Sequence, residues 1–140
     1  MYSVKLGSDK IYYGENAVEG LRNLKSDNKK AFIIMSGTLL DEIGLLSKVT
    51  NILDEMEFKY EVFTDVEPEP SFTTVMKGAE KIKAFEPDWI IGFGGGSAMD
   101  AAKAMWVFYE NPQCTKIEEV AAPNEFKYLR FYFHDLDFIQ

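Results

Sequence analysis

The apolar positions of this chain change period along its length. Ala31-Phe32-Ile33-Ile34-Met35 is an unbroken apolar run, short and partly β-branched. A run of that kind fits a strand covered on both faces, as in the middle of a parallel sheet. Trp89-Ile90-Ile91, ending at Gly92, reads the same way, and Tyr60, Val62 and Phe63 mark a further strand. Between these runs the spacing lengthens to that of helices. Leu45, Leu46, Val49, Ile52, Leu53 and Met56 recur on one face, with Gly44 breaking or resetting the pattern at its start. Val75, Met76, Ala79 and Ile82 make the buried stripe of a helix over 72–85, which Ser71 can cap and Glu86-Pro87-Asp88 stops. Residues 98–109, rich in Ala and Met, read as the last helix.

The amino-terminal stretch is more broken. Residues 3–6 and 11–13 alternate polar and apolar around Gly7-Ser8-Asp9, which predicts a short hairpin or a bent edge strand. Asn16, with Glu19 three residues on, predicts the cap of a helix carrying Val18, Leu21 and Leu24 on one side. Strand and helix then alternate to the end of the last helix. The expected fold is α/β: a Rossmann-like parallel sheet with helices on both faces, plus the short N-terminal hairpin or edge strand.

Ligands of such sheets bind beyond the carboxyl ends of the strands. Two loops leave those ends with suitable chemistry, Ser36-Gly37-Thr38 and Gly94-Gly95-Gly96-Ser97. Glycine lets a ligand approach the backbone, and the first turn of a helix offers unpaired N–H groups and partial positive charge. Gly94, Gly95, Gly96 and Ser97 therefore predict a pyrophosphate site at a helix start. The plainer alternative is a tight turn in which Ser97 and Asp100 form a capping box. The pattern follows a late strand, unlike the usual dinucleotide glycine motif. Asp100 would repel a phosphate, so it caps the helix or accepts from a ribose or nicotinamide group. Lys103 lies on the same face as Asp100 and either reaches a cofactor hydroxyl or pairs with that carboxylate.

Ser36-Gly37-Thr38 bears on the choice of cofactor. A carboxylate ending this strand would accept from the ribose 2′-OH of NAD and repel a 2′-phosphate. Ser36 and Gly37 are small and uncharged, which favours NADP and leaves NAD possible. An ordinary strand-ending turn is the alternative. Thr38 and Leu39 are candidates to flank the adenine.

Composition narrows the remaining classes. The chain has 140 residues, one domain's worth, and 46% of them are apolar, enough for a packed core. A net charge of -8 argues against a nucleic-acid surface. Single Cys114 forms no internal disulfide and fits a reducing cytoplasm. No apolar run reaches the roughly 18 residues of a membrane span, and the start of the chain has no signal-peptide core. A cytoplasmic protein is expected.

Gly94-Gly95-Gly96-Ser97-Ala98-Met99-Asp100-Ala101-Ala102-Lys103 resembles the G-G-G-S-x-x-D-x-A-K signature of the iron-containing (group III) alcohol dehydrogenases. Glu67-Pro68-Glu69-Pro70-Ser71 and Tyr12-Tyr13-Gly14-Glu15-Asn16-Ala17 resemble further segments of that family, in the same order. The resemblance covers residues 1–129. It implies a dinucleotide-binding N-terminal half, with Asp100 at the cofactor site and Pro70 bordering the adenosine. It also implies, in the full-length family, hydride transfer between a nicotinamide and an alcohol or aldehyde, assisted by Fe or Zn held in a helical second domain.

Residues 130–140 depart from the pattern and read as a divergent tail, as a truncated, frameshifted or naturally short product would show. Phe131, Phe133, Leu136 and Phe138 would pack back as strand or helix, or cover an exposed face. His134 is the single histidine, so the family's metal site, an Asp with several histidines, is not expected here. His134, Asp135 and Asp137 read as solvated or packed. The expected function is the NADP-binding domain of a metal-dependent alcohol dehydrogenase, inactive alone. The alternatives are a non-enzymatic nucleotide-binding or oligomerising module, or a fragment of a glycerol dehydrogenase or dehydroquinate synthase, from which Ser97 leans away. Apolar surface left bare by a missing second domain would favour a homo-oligomer.

Overall fold

A computed structural model describes residues 2–4, 11–37, 44–114 and 130–135. Strands β1 (Tyr2–Val4) and β2 (Ile11–Tyr13) pair antiparallel, as the hairpin reading expects. The main sheet holds β3 (Lys30–Met35), β4 (Lys59–Phe63), β5 (Trp89–Gly94) and β6 (Arg130–Asp135). Its spatial order is β4-β3-β5-β6, and every neighbouring pair is parallel. The α-helices are α1 (Leu45–Glu55), α2 (Phe72–Phe85) and α3 (Gly96–Glu110).

The apolar runs are unbroken because both faces of β3 and β5 are covered. Ala31, Ile33, Met35, Trp89, Ile91 and Phe93 pack with Leu21 and with Val49, Ile52 and Leu53 of α1. Phe32, Ile34 and Ile90 face the other way, onto Val75, Ala79 and Ile82 of α2 and Ala101, Ala102 and Met105 of α3. Fully burying one such aliphatic side chain contributes about 1.5–3 kcal/mol. Between α2 and α3, Gly78 lies directly against the Met105 thioether, where a Cβ would collide with Sδ and Cε. That contact sets how closely the two helices approach.

Three local expectations change. Residues 17–23 form a 3-10 helix, and Asn16 sits in the left-handed region (φ 60°) with no side-chain cap bond. An Asn in that conformation turns the chain instead of accepting from the next turn. Strand β5 runs three residues past Ile91, to Gly94. Arg130–Asp135, the first part of the expected tail, is a strand beside β5 in the main sheet. Leu136, Asp137 and Phe138 lie outside the described residues. Among the described residues no helix is long and apolar enough to cross a membrane.

The amino end of the sheet is tied by Asp88. Its Oδ1 accepts from the Lys30 N–H at 2.9 Å, and its Oδ2 accepts from the Asn28 N–H at 3.3 Å and from the Ser26 hydroxyl. Trp89 Nε1 donates to the Lys25 carbonyl at 3.0 Å. These bonds fix the strand entrances, so the carboxyl ends stand in register at the opposite edge.

Candidate cofactor site

The chain passes from β3 to β4 on one side, then crosses back through α2 to β5 on the other. The direction of winding therefore reverses between β3 and β5, which leaves a crevice beyond their carboxyl ends. Met35 pairs with Phe93, so the two loops that follow start side by side. The loops are those the sequence singles out.

The glycine loop has a different division of labour from a capping box. Gly94 is buried at φ 128°, a conformation that L side chains rarely adopt. Gly95 is the N-cap residue, in extended backbone, and no side chain caps the helix. Ser97 is then the second helical residue, which removes the alternative of a Ser97–Asp100 capping box. The first intrahelical donor is the Met99 N–H, to the Gly95 carbonyl at 3.2 Å. The N–H groups before it emerge from the end of the helix, where the positive pole of the backbone dipole lies. A Cβ added to Gly95 or Gly96 would meet nothing within 4 Å. The backbone at Gly95 and Gly96 is therefore uncrowded on the side where a side chain would stand. Asp100 and Lys103 are both exposed on the first turns of α3.

On the other bank, Gly37 is exposed at φ 65°, and a Cβ there would also meet nothing within 4 Å. Its N–H donates to the Thr64 carbonyl at 3.3 Å, and Ser36 pairs antiparallel with Asp65. Ser36 is half-buried. Thr38 and Leu39 lie outside the described residues.

Asp65 was missed by the sequence reading. The signal was available: it is a carboxylate two residues beyond the end of β4, where the strand-end rule applied to Ser36 applies equally. Lys77 of α2 donates to Asp65 Oδ2 at 2.7 Å. That hydrogen bond, with the charge of Lys77 and then Lys81, holds the Asp65 carboxyl below its ordinary value. Next to it, Glu67 Oε1 accepts from the Ser71 N–H at 2.6 Å and Oε2 from the Thr74 hydroxyl at 2.8 Å. Ser71 Oγ accepts from the Thr74 N–H at 3.2 Å, as its expected cap role requires. Chiefly through the Ser71 N–H, Glu67 too is held below its ordinary value. Pro70 belongs to this braced loop.

Among the described residues, no group of three or more His, Cys, Asp or Glu side chains could hold a metal ion. His134 and Asp135 sit at the carboxyl end of β6, in register with Phe93 and Gly94.

Comparison with known proteins gives the family and the fold. The family described as iron-containing alcohol dehydrogenase matches residues 8–132. The NADPH-dependent butanol dehydrogenase of Clostridium saccharobutylicum is 50% identical over 105 residues, 75% of this chain and 26% of that protein. The aldehyde-alcohol dehydrogenase of Streptococcus pneumoniae is 42% identical over 115 residues, 81% of this chain and 13% of that protein. The crystal structure of an iron-containing alcohol dehydrogenase from Thermotoga maritima superposes with a TM-score of 0.71 at 28% identity, covering 89% of this chain and 35% of that one. The chain thus spans about a quarter or less of the length of these two relatives.

Proposed function

The chain belongs to the iron-containing alcohol dehydrogenase family, and on that premise we propose that it is the NADP-binding domain of such an enzyme. The observation that carries the reading is the open backbone at Gly95 and Gly96, at the start of α3 and beside the winding reversal. The N–H groups of Gly96 and Ser97, with the Ser97 hydroxyl, hold the pyrophosphate there. Ser36 and Gly37 receive the adenosine ribose, with room for a 2′-phosphate. Asp100 and Lys103 serve the cofactor's hydroxyl and amide groups from the first turns of α3. Thr38 completes the adenosine side.

When bound, the nicotinamide supplies a hydride carrier for the oxidation of an alcohol or the reduction of an aldehyde. This chain's residues bind and orient that carrier. Among the described residues no side-chain cluster fits a metal centre. The 140-residue chain alone binds the dinucleotide and does not turn alcohol over.

Titration of the chain with NADPH and with NADH, followed by nicotinamide fluorescence, tests the reading. Saturable binding with NADPH preferred is the expected result. No binding of either dinucleotide, or metal-dependent alcohol oxidation by the pure chain, would contradict it.

A further inference from the structure

We propose that Lys77 sets the preference between NADP and NAD, by occupying Asp65 and presenting positive charge where the ribose 2′ position lies. The inference rests on the dinucleotide reading above. Ser36 supplies no carboxylate at its strand end, but Asp65 stands directly opposite it as a backbone partner. Residues paired in that way hold their Cβ atoms about 5 Å apart. An unoccupied Asp65 would accept from a ribose 2′-OH and repel a 2′-phosphate, as a strand-end acid does in NAD-selective sites.

Asp65 is occupied. Lys77 Nζ lies 2.7 Å from Oδ2, and Lys81, one turn further along α2, adds a second positive charge felt by the same carboxylate. Lys81 is itself held over the Phe63 ring, 5.8 Å from its centroid, at the end of β4. The carboxylate that pairs with Ser36 along the backbone is therefore bonded to Lys77, with the charge of Lys81 acting on it more weakly. The Lys77 and Asp65 side chains are 56% and 53% exposed, so an incoming phosphate can reach both. A phosphate there gains a lysine partner without leaving the acid unpaired, whereas a bare 2′-OH must compete with Lys77 for Asp65.

Lys77→Gln, Asp65→Asn and the double variant test this by NADPH and NADH titration of the full chain. Lys77→Gln is expected to weaken NADPH by roughly fivefold, the scale of a half-exposed charge pair, with NADH unchanged or tighter. Asp65→Asn is expected to tighten NADPH, and the double variant to recover much of the NADPH affinity that Lys77→Gln loses. A purely structural ion pair would shift both dinucleotides together in each variant, and that result would overturn the role of Lys77. Unmoved affinities would overturn it as well. If the unsubstituted chain binds neither dinucleotide, the underlying reading falls along with it. NADPH-preferring binding that ignores Lys77 would remove only the present inference.

Discussion

Asp88 and Lys30 are joined twice at the amino end of the sheet. The Lys30 N–H donates to Asp88 Oδ1 at 2.9 Å, and the Asp88 N–H returns a bond to the Lys30 carbonyl at 3.1 Å. Lys30 also sends its ammonium to the Phe85 carbonyl at 2.6 Å, which ties the end of α2 to the same point. The pair holds β3 against β5 at the edge away from the crevice.

Asp88→Ala should therefore destabilise the fold without touching the ligand site. Removing a partly buried carboxylate that accepts several bonds costs about 1–3 kcal/mol. Chemical denaturation should show that loss, while NADPH affinity measured under folding conditions stays within twofold.

Gly96 makes the opposite prediction. It lies in the first turn of α3 with no positive φ, and a Cβ there meets no protein atom. Gly96→Ala should leave stability unchanged or raise it by up to about 1 kcal/mol, since alanine is the better helix former. The same methyl projects into the space assigned to the pyrophosphate. NADPH affinity should fall at least tenfold while the denaturation midpoint holds or rises. Equal affinity in the variant would remove the pyrophosphate from this loop.

The loop after β4 should make stability depend on acid. Asp65, bonded to Lys77, and Glu67, bonded to the Ser71 N–H, both have carboxyls held below their ordinary values. A depressed folded-state pKa stabilises above the unfolded value and loses that contribution as pH falls through the folded one. Stability should be flat at neutral pH and decline below about pH 4, where carboxylates begin to protonate. Thermal melts across pH 2–7 check this, and the Asp65→Asn, Glu67→Gln double variant should show a shallower acid decline. An unchanged decline would mean that other groups control it.

The sheet and its helices were legible because burial on two faces and burial on one leave different sequence periods. Residues 31–35 and 89–91 could hardly be other than central strands, and Ser71 announces its helix by a cap that needs only local geometry. The start of α3 was less readable. Three glycines fit several backbone paths, and Ser97 with Asp100 imitates a capping box, so the true N-cap at Gly95 had no side-chain signature. Asn16 likewise has the right side chain for a cap but adopts a left-handed turn. Partners distant in sequence were hidden for another reason. That Asp65 faces Ser36, and that Asp88 closes on Lys30, follows from strand order and register, which no local window contains.

The central claim is that backbone amides at the tip of α3 hold the diphosphate of a dinucleotide. Amide chemical shifts of the nitrogen-15-labelled chain during NADPH titration test it most directly. The account predicts saturable shifts at Gly95, Gly96 and Ser97, smaller ones at Ser36 and Gly37, and none at Lys30 or Asp88. Silence at the glycine amides, while NADPH perturbs another part of the chain, would contradict it.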